Sequence, residues 1–366
     1  MVLTKDELER YRRHTILPMI GINGQKKIKN AKVLIVGMGG LGSPLAMYLA
    51  ASGVGTLGLV DFDNVEASNL QRQIIHKTSN IGKPKTESAL ESLVEINPYI
   101  KVNCFNEALS SANAIDIFNQ YDIICDGTDN FQTRYLINDA CILTGKINVF
   151  GSINQFEGQI SVFGADKGPC YRCLFPEPPI PGSVPSCAEA GVLGILPGVI
   201  GTIEATEVIK LICGIGTPLI GRLLNYDALS MQFNEVKFTK DKDCPCCGMN
   251  PTITQLIDYE DFCNNTISSF KEITANQLKE QIKKKQMPIL LDVREDDEVA
   301  LGTITGSIHI PMGEIPNRLN EIPKNETVVV FCHLGIRSKN VIQYLQEQGY
   351  QNLVNLKGGI DAYQSF

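Results

Sequence analysis

The sequence predicts an α/β protein in two parts. A doubly wound, mainly parallel sheet with a metal-held C-terminal portion comes first, and a smaller α/β domain follows. Three observations predict this. A glycine-rich turn joins two apolar runs within residues 32–63. Short apolar strands then alternate with helical stretches as far as Gly151. Beyond that point the pattern breaks into paired cysteines, a polar linker and a second, shorter alternation.

The opening unit reads strand (33–36), turn (Gly37-Met-Gly-Gly-Leu-Gly42), small-residue helix (44–52) and strand (57–60), ending on Asp61 and Asp63. This is the Rossmann-like grammar of a nucleotide site. Gly37, Gly39, Gly40 and Gly42 let the backbone approach a phosphate, and the helix start offers free N–H groups. Asp61 stands nineteen residues past Gly42, near the spacing of a ribose-hydroxyl acceptor. By itself the fingerprint suits a nicotinamide or flavin oxidoreductase as well as an ATP enzyme.

A charged helix over 4–14 precedes this unit, with Arg10, Arg12 and Arg13 on it. The polar stretch 65–85 follows the second strand and carries Asn69, Arg72 and Lys85. Loops after parallel strands line the ligand crevice of such sheets. A helix (86–96), a strand (101–105), a helix (112–119) and a strand (121–125) lead to Asp126-Gly-Thr-Asp-Asn130. Asp129 and Asn130 therefore also face the crevice. A helix (131–143) and a strand (147–151) complete the alternation. Arg72 and Lys85 would oppose phosphate charge, and Asp129 would hold magnesium, a hard cation that prefers oxygen. Hydride transfer has no use for that set.

Next come a strand (159–163), Cys170-Tyr-Arg-Cys173, a Pro/Gly-rich loop (176–185), Cys187, a helix (202–213) and two strands (223–227, 232–237). Asp243-Cys-Pro-Cys-Cys247 follows. Two C-x-x-C pairs, Cys170/Cys173 and Cys244/Cys247, form a tetrahedral structural zinc set with no open position. Cys246 leaves the register of the second pair open. Cys104, Cys125, Cys141 and Cys213 read as ordinary packing, whereas Cys187 is a candidate second thiol nucleophile.

Two domains result, 1–249 and 271–366, joined by a linker at 250–270. The last shows a helix (275–285), strands at 289–292 and 327–331, the loop Cys332-His-Leu-Gly-Ile-Arg-Ser338, a helix (339–348) and a strand (353–355). Cys332 follows an apolar strand and opens onto backbone N–H groups and Arg337, which favours a thiolate or persulfide. His309 and His333 read as structural.

The totals narrow the function. A net charge of -7 argues against a general nucleic-acid binder. The charged N-terminus shows no signal peptide. The longest apolar stretch, 191–203, is broken by Pro197 and is too short to span a bilayer, so it reads as a buried helix. Twelve cysteines without a secretory signal point to a reducing, cytoplasmic setting. A non-catalytic thiol-switch scaffold using Cys332 and Cys187 is the remaining alternative.

These motifs resemble a known family. Arg10-Tyr-Arg-Arg13, Gly37-Met-Gly-Gly-Leu-Gly42, Asp61-Phe-Asp63, Asn69-Leu-Gln-Arg-Gln73, Asp126-Gly-Thr-Asp-Asn130, Cys170-Tyr-Arg-Cys173 and Cys187-Ala-Glu-Ala-Gly191 are similar to those of ubiquitin-activating-enzyme-like adenylyltransferases. Among these, the likeness is to enzymes acting on molybdopterin synthase and thiamine sulfur carriers, and it spans residues 4–248. Residues 273–366 resemble a rhodanese domain through Asp292-Val-Arg-Glu295, Gly306-Ser-Ile-His-Ile-Pro311, Cys332 to Ser338 and Lys357-Gly-Gly-Ile360. The resemblance implies ATP over the glycine turn, Asp61 on its ribose, and Asn69, Arg72 and Lys85 on its phosphates. It implies a small ubiquitin-like carrier ending in Gly-Gly as substrate, and a homodimer in which Arg13 reaches the neighbouring site. It implies a Cys332 persulfide, supplied by a donor such as a cysteine desulfurase, and Cys187 as a resolving thiol. His333 stands where many rhodaneses carry a basic residue after the cysteine, so the donor stays open.

Overall fold

The computed structural model describes residues 2–179, 190–264, 271–284, 287–335 and 337–365. Cys187, residues 180–185 of the Pro/Gly-rich loop and residues 265–270 of the linker lie outside the described residues. The chain divides into two compact units, the first closing at Tyr259 and the second beginning at Glu260.

The first unit is built on eight strands: β1 (Lys32–Val36), β2 (Thr56–Val60), β3 (Lys101–Phe105), β4 (Ile123–Asp126), β5 (Ile147–Asn154), β6 (Glu157–Phe163), β7 (Arg222–Asp227) and β8 (Gln232–Lys237). They lie in the order β3-β2-β1-β4-β5-β6-β7-β8. The first five are parallel, and β6 to β8 extend the sheet as antiparallel neighbours. The order in which successive strands are added reverses between β1 and β4, which opens a crevice at their C-terminal ends. β1 reads Lys-Val-Leu-Ile-Val with its last four residues buried, as a central strand covered on both faces requires.

The helix Gly42–Ser52 is buried nearly all round and packs on the helix Leu196–Cys213. The latter starts six residues before the sequence pattern suggests. Pro197 occupies its first turn, where a missing N–H costs nothing, and Gly214 ends it at φ +68°. The helix Gly21–Asn30 is absent from the pattern because glycines and lysines mask its period. Tertiary contacts hold it: Ile28 is fully buried, and Gln25 donates to the Ser52 carbonyl at 2.8 Å.

Residues 250–259 read as linker but pack on the first unit. Ile253 lies against the cysteine cluster, and the Ile257 carbonyl accepts from Ser111 at 2.6 Å. The Tyr259 hydroxyl donates to Asp139 at 2.8 Å.

The second unit has five parallel strands, β9 (Lys271–Ile273), β10 (Ile289–Asp292), β11 (Ile308–His309), β12 (Val328–Phe331) and β13 (Leu353–Leu356). Their order is β11-β10-β12-β13-β9. The Val-Val-Val-Phe of β12 is wholly buried at the centre and delivers Cys332 at its C-terminal end.

Candidate active site

The crevice of the first unit encloses about 220 Å3. Gly37 turns out of β1 at φ +92°, and a Cβ there would meet the Gly127 carbonyl oxygen at 2.9 Å. Gly42 has a different task from lining the crevice. A Cβ on it would collide with the Gly37 carbonyl, so its glycine lets the helix start directly beneath the turn.

Asp61 leaves the end of β2 and accepts the Met38 N–H at 2.7 Å and the Asp63 N–H at 2.8 Å. Burial pushes its carboxyl up, against the pull of Lys85 and these two donors. Lys85, first residue of the helix Lys85–Ile96, is buried and pairs with Asp63 at 2.7 Å. Gly39, Gly40, Arg72, Asp129 and Asn130 also line the crevice. Arg72 donates to the Ser68 carbonyl at 3.2 Å and forms no ion pair among the described residues. Asn130 caps the helix Phe131–Thr144 by accepting the Thr133 N–H at 2.9 Å.

Two expected residues lie apart. Asn69 does not line the crevice, because its Oδ1 accepts the Glu66 N–H at 3.1 Å and closes its own turn. Arg13 is exposed on the short helix Arg12–Thr15 and does not line the crevice of its own chain.

Several residues of the site escape sequence reasoning. His76 is buried; its Nε2 donates to the Met38 carbonyl at 3.0 Å while Nδ1 accepts from Ser88 at 2.9 Å. Burial holds this imidazole below its usual value, so it props the glycine turn as a neutral ring. Asp126 accepts the Thr128 N–H at 3.0 Å and hydroxyl at 2.6 Å, which shapes the turn presenting Asp129. Burial pushes Asp126 up and Glu204 well up; Glu204 has no hydrogen-bond partner among the described residues. Asp126 opens the quoted Asp126–Asn130 motif, and Gln73, which lines the crevice, closes the quoted Asn69–Gln73 motif; His76 and Glu204 carried no such signal.

Cys170, Cys173, Cys244 and Cys247 converge, their Sγ atoms all within 4.8 Å of one another. Cys170 Sγ stands 3.9 Å from that of Cys173 and 3.6 Å from that of Cys244, and Cys173 Sγ stands 3.4 Å from that of Cys247. Four sulfurs at tetrahedral corners around zinc, with bonds of about 2.3 Å, would stand about 3.8 Å apart. Hydrogen bonds with Cys170 and Cys247 pull Cys173 down to about 2, while the bond to Cys173 pushes Cys170 up and that to Cys170 pushes Cys247 up. Four such thiols cannot all ionise without a cation among them, so the set fits a bound metal. Cys246 stands outside the set and receives the Asn138 amide at 3.9 Å. Behind the cluster, Arg172 makes a two-bond pair with Asp139, each at 2.8 Å. Asp139 also anchors Tyr259, whose hydroxyl is pushed up by burial.

In the second unit Cys332 is buried, and its Sγ accepts the Gly335 N–H at 3.2 Å. Gly335 adopts φ +85°, folding the loop back over the sulfur. Ser338 lies 3.6 Å from that sulfur and donates to Asn355 Oδ1 at 2.7 Å. Arg337 interacts electrostatically with Cys332, and it also has a carboxylate partner that the sequence did not announce. Its guanidinium makes a two-bond pair with Glu298 at 2.6 and 2.5 Å, which raises Arg337 and holds Glu298 down at about 2. His309 is structural, its Nε2 bonding the Arg294 carbonyl at 2.8 Å.

A switch-point crevice, a four-cysteine clamp and a cysteine loop define a nucleotide-binding transferase joined to a sulfur-handling domain. Residues 11–246 match the ThiF family, and residues 274–366 match the rhodanese-like domain. The chain belongs to the ThiF family and carries a rhodanese-like domain. It is 46% identical to "Probable adenylyltransferase/sulfurtransferase MoeZ" of Mycobacterium tuberculosis, over 99% of this chain and 94% of that protein. It is 40% identical to "Adenylyltransferase and sulfurtransferase MOCS3" of Arabidopsis thaliana, over 99% and 84%. A "Sulfur carrier protein adenylyltransferase" of Thermus thermophilus is 51% identical over 71% of this chain and 98% of its own. A crystal structure of E. coli MccB shares the fold, with a TM-score of 0.59 at 24% identity, covering 65% of this chain and 74% of that one. An adenylyltransferase family implies ATP as the nucleotide, which sets aside the nicotinamide and flavin reading. Among the described residues, no helix is long and apolar enough to cross a membrane.

Proposed function

We propose that this protein adenylates the C-terminal glycine of a small ubiquitin-like sulfur carrier and then passes sulfur to it from Cys332. The observation that carries the first half is the gathering of Asp61, Arg72, Lys85 and Asp129 around the Gly37 turn. ATP lies along that turn, its ribose hydroxyls on Asp61 and its phosphates against the helix start. The carrier's carboxylate oxygen attacks the α-phosphorus, the bond to the bridging oxygen breaks, and pyrophosphate leaves. Arg72 and Lys85 neutralise the charge that gathers on the departing phosphates. To serve there, Lys85 must exchange Asp63 for the nucleotide. Asp129, whose carboxylate has no hydrogen bond among the described residues, would hold magnesium, which further neutralises the phosphates when bound. Asn69 would have to leave its own turn to join them. Arg13 would complete the site of a second copy in a homodimer, and the four cysteines would hold zinc as a fastening of the lobe.

In the second half, a Cys332 persulfide attacks the acyl carbon of the adenylate. AMP leaves, and the carrier is joined to Cys332 through an acyl disulfide. Attack of another thiol on the Cys332 sulfur releases the thiocarboxylate. Cys187 is a candidate for that thiol, and an external reductant would then reopen the disulfide formed. A cysteine-desulfurase type of donor and a reducing, cytoplasmic setting suit this chemistry.

Mass spectrometry of candidate carriers after incubation with ATP and a persulfide donor tests the proposal. A true carrier gains the mass difference between sulfur and oxygen. Carriers from molybdenum-cofactor, thiamine, cysteine and tRNA-thiolation systems all unchanged, with metal-replete protein, would count decisively against it.

A further inference from the structure

The second unit holds Arg337, at the start of the helix Arg337–Glu347 that follows the Cys332 loop, in a way that bears on which sulfur compound it accepts. Arg337 follows Cys332 by five residues and interacts electrostatically with its sulfur. Both terminal nitrogens of its guanidinium are bonded to the two carboxylate oxygens of Glu298, at 2.6 and 2.5 Å. Such a paired fork cancels the guanidinium's charge and takes up two of its five N–H donors. Glu298 sits on the helix Asp296–Ala300, whose first turn also carries Asp296 and Asp297. Glu295, the cap of that helix, acts on Arg337 as well. The Arg337–Glu298 pair is thus neutral, with Glu295, Asp296 and Asp297 at the same helix start and Arg294, itself paired with Asp292, against the Glu298 carbonyl.

We propose that Glu298 is a specificity-determining residue: by cancelling Arg337, it directs the Cys332 loop to thiol persulfides as sulfur donors and away from dianions such as thiosulfate. This rests on the sulfurtransferase reading above and names its donor class. Cys332 as thiolate attacks the outer sulfur of R–S–SH. The donor S–S bond breaks, its electron pair leaves on R–S−, which takes up a proton, and Cys332 retains the outer sulfur as a persulfide. No external oxidant or reductant is needed, because the sulfane sulfur crosses in its existing oxidation state. Thiosulfate would follow the same course and expel sulfite, but it brings two negative charges to a thiolate whose loop arginine, Arg337, is already paired with Glu298.

The test compares kcat/KM for thiosulfate and for cysteine persulfide in the full-length wild type and in Glu298→Gln. The glutamine keeps one hydrogen bond to the guanidinium and returns its charge to the pocket. The expected result is a shift of the thiosulfate-to-persulfide ratio by about tenfold or more toward thiosulfate. An unchanged ratio, including a parallel fall of both values from a disturbed loop, overturns the proposal. The wild type supplies a second reading that does not depend on the variant's folding. Added salt should raise thiosulfate kcat/KM by screening repulsion, and a fall with salt would show an attractive, cationic pocket and overturn it. Failure of Cys332 to take sulfur from either donor would be a different result, striking the sulfurtransferase reading itself and this proposal with it.

Discussion

The crevice of the first unit and the Cys332 loop of the second solve a similar problem with similar backbone. Each lies at the C-terminal end of a buried parallel strand, and each turns through a glycine at positive φ, Gly37 at +92° and Gly335 at +85°. They differ in how cations are held. Arg72 forms no ion pair among the described residues, and Lys85 is paired to a half-exposed Asp63 from which it can be recruited. Arg337 is clamped by both oxygens of Glu298. The first arrangement suits a triphosphate, the second a sulfur atom that carries little charge into the site. Similar loops are thus tuned to different substrates by the availability of positive charge.

The sharpest way to separate the two regions is to remove each nucleophilic or cationic group in turn. Cys332→Ser should abolish carrier thiocarboxylate, by more than about 1,000-fold, since no other sulfur takes its place. The same protein should retain ATP–pyrophosphate exchange, read in parallel. Loss of both would show that the two regions do not work independently. Lys85→Ala should lower exchange by about 100- to 1,000-fold, the usual cost of a lost charge-stabilising group, while leaving persulfide loading of Cys332 intact. Asp61→Asn should have a smaller effect, near tenfold and mainly on KM for ATP, because it acts on the ribose and not on the reacting phosphate.

Stability offers a further contrast. If zinc fastens the four cysteines, chelation should lower the melting temperature of the first unit by more than about 10 °C and leave the second unit's transition in place. A single unchanged transition in the calorimeter would contradict a fastening role. The smallest expected effect concerns His76. Its folded value is held below the ordinary 6.5 by burial. The unfolded chain therefore binds the proton more readily, so this group costs stability increasingly as pH falls below about 6.5 and contributes no change above it. Denaturation midpoints of the wild type and His76→Gln should differ by a constant amount above about pH 6.5, and the gap should narrow as pH falls because only the wild type bears this cost.

Much of this architecture was legible in the chain because its signals are local. β3 and β8 coincide with the expected spans, and Asp61 declared itself by its distance from Gly42. The two C-x-x-C pairs required only that seventy residues fold back between them. What was illegible depends on partners distant in sequence. Glu298 meets Arg337 across thirty-nine positions, and nothing in an acidic stretch announces which cation it will cancel. His76 acts through one backbone carbonyl and one serine hydroxyl, contacts that have no compositional trace. β9 and β11 have three and two residues, too few for any alternation to appear. The decade 250–259 looked like linker because its cohesion comes from Ser111, Asp139 and the cysteine cluster, all outside it.

The most direct measurement is isotope exchange between pyrophosphate and ATP, catalysed by the full-length protein with and without a purified carrier ending in Gly-Gly. Label should enter ATP only when the carrier is present with its terminal glycine intact, and Lys85→Ala should suppress it. Exchange that ignores the carrier, or none with any carrier class, would contradict a crevice built to activate a protein tail.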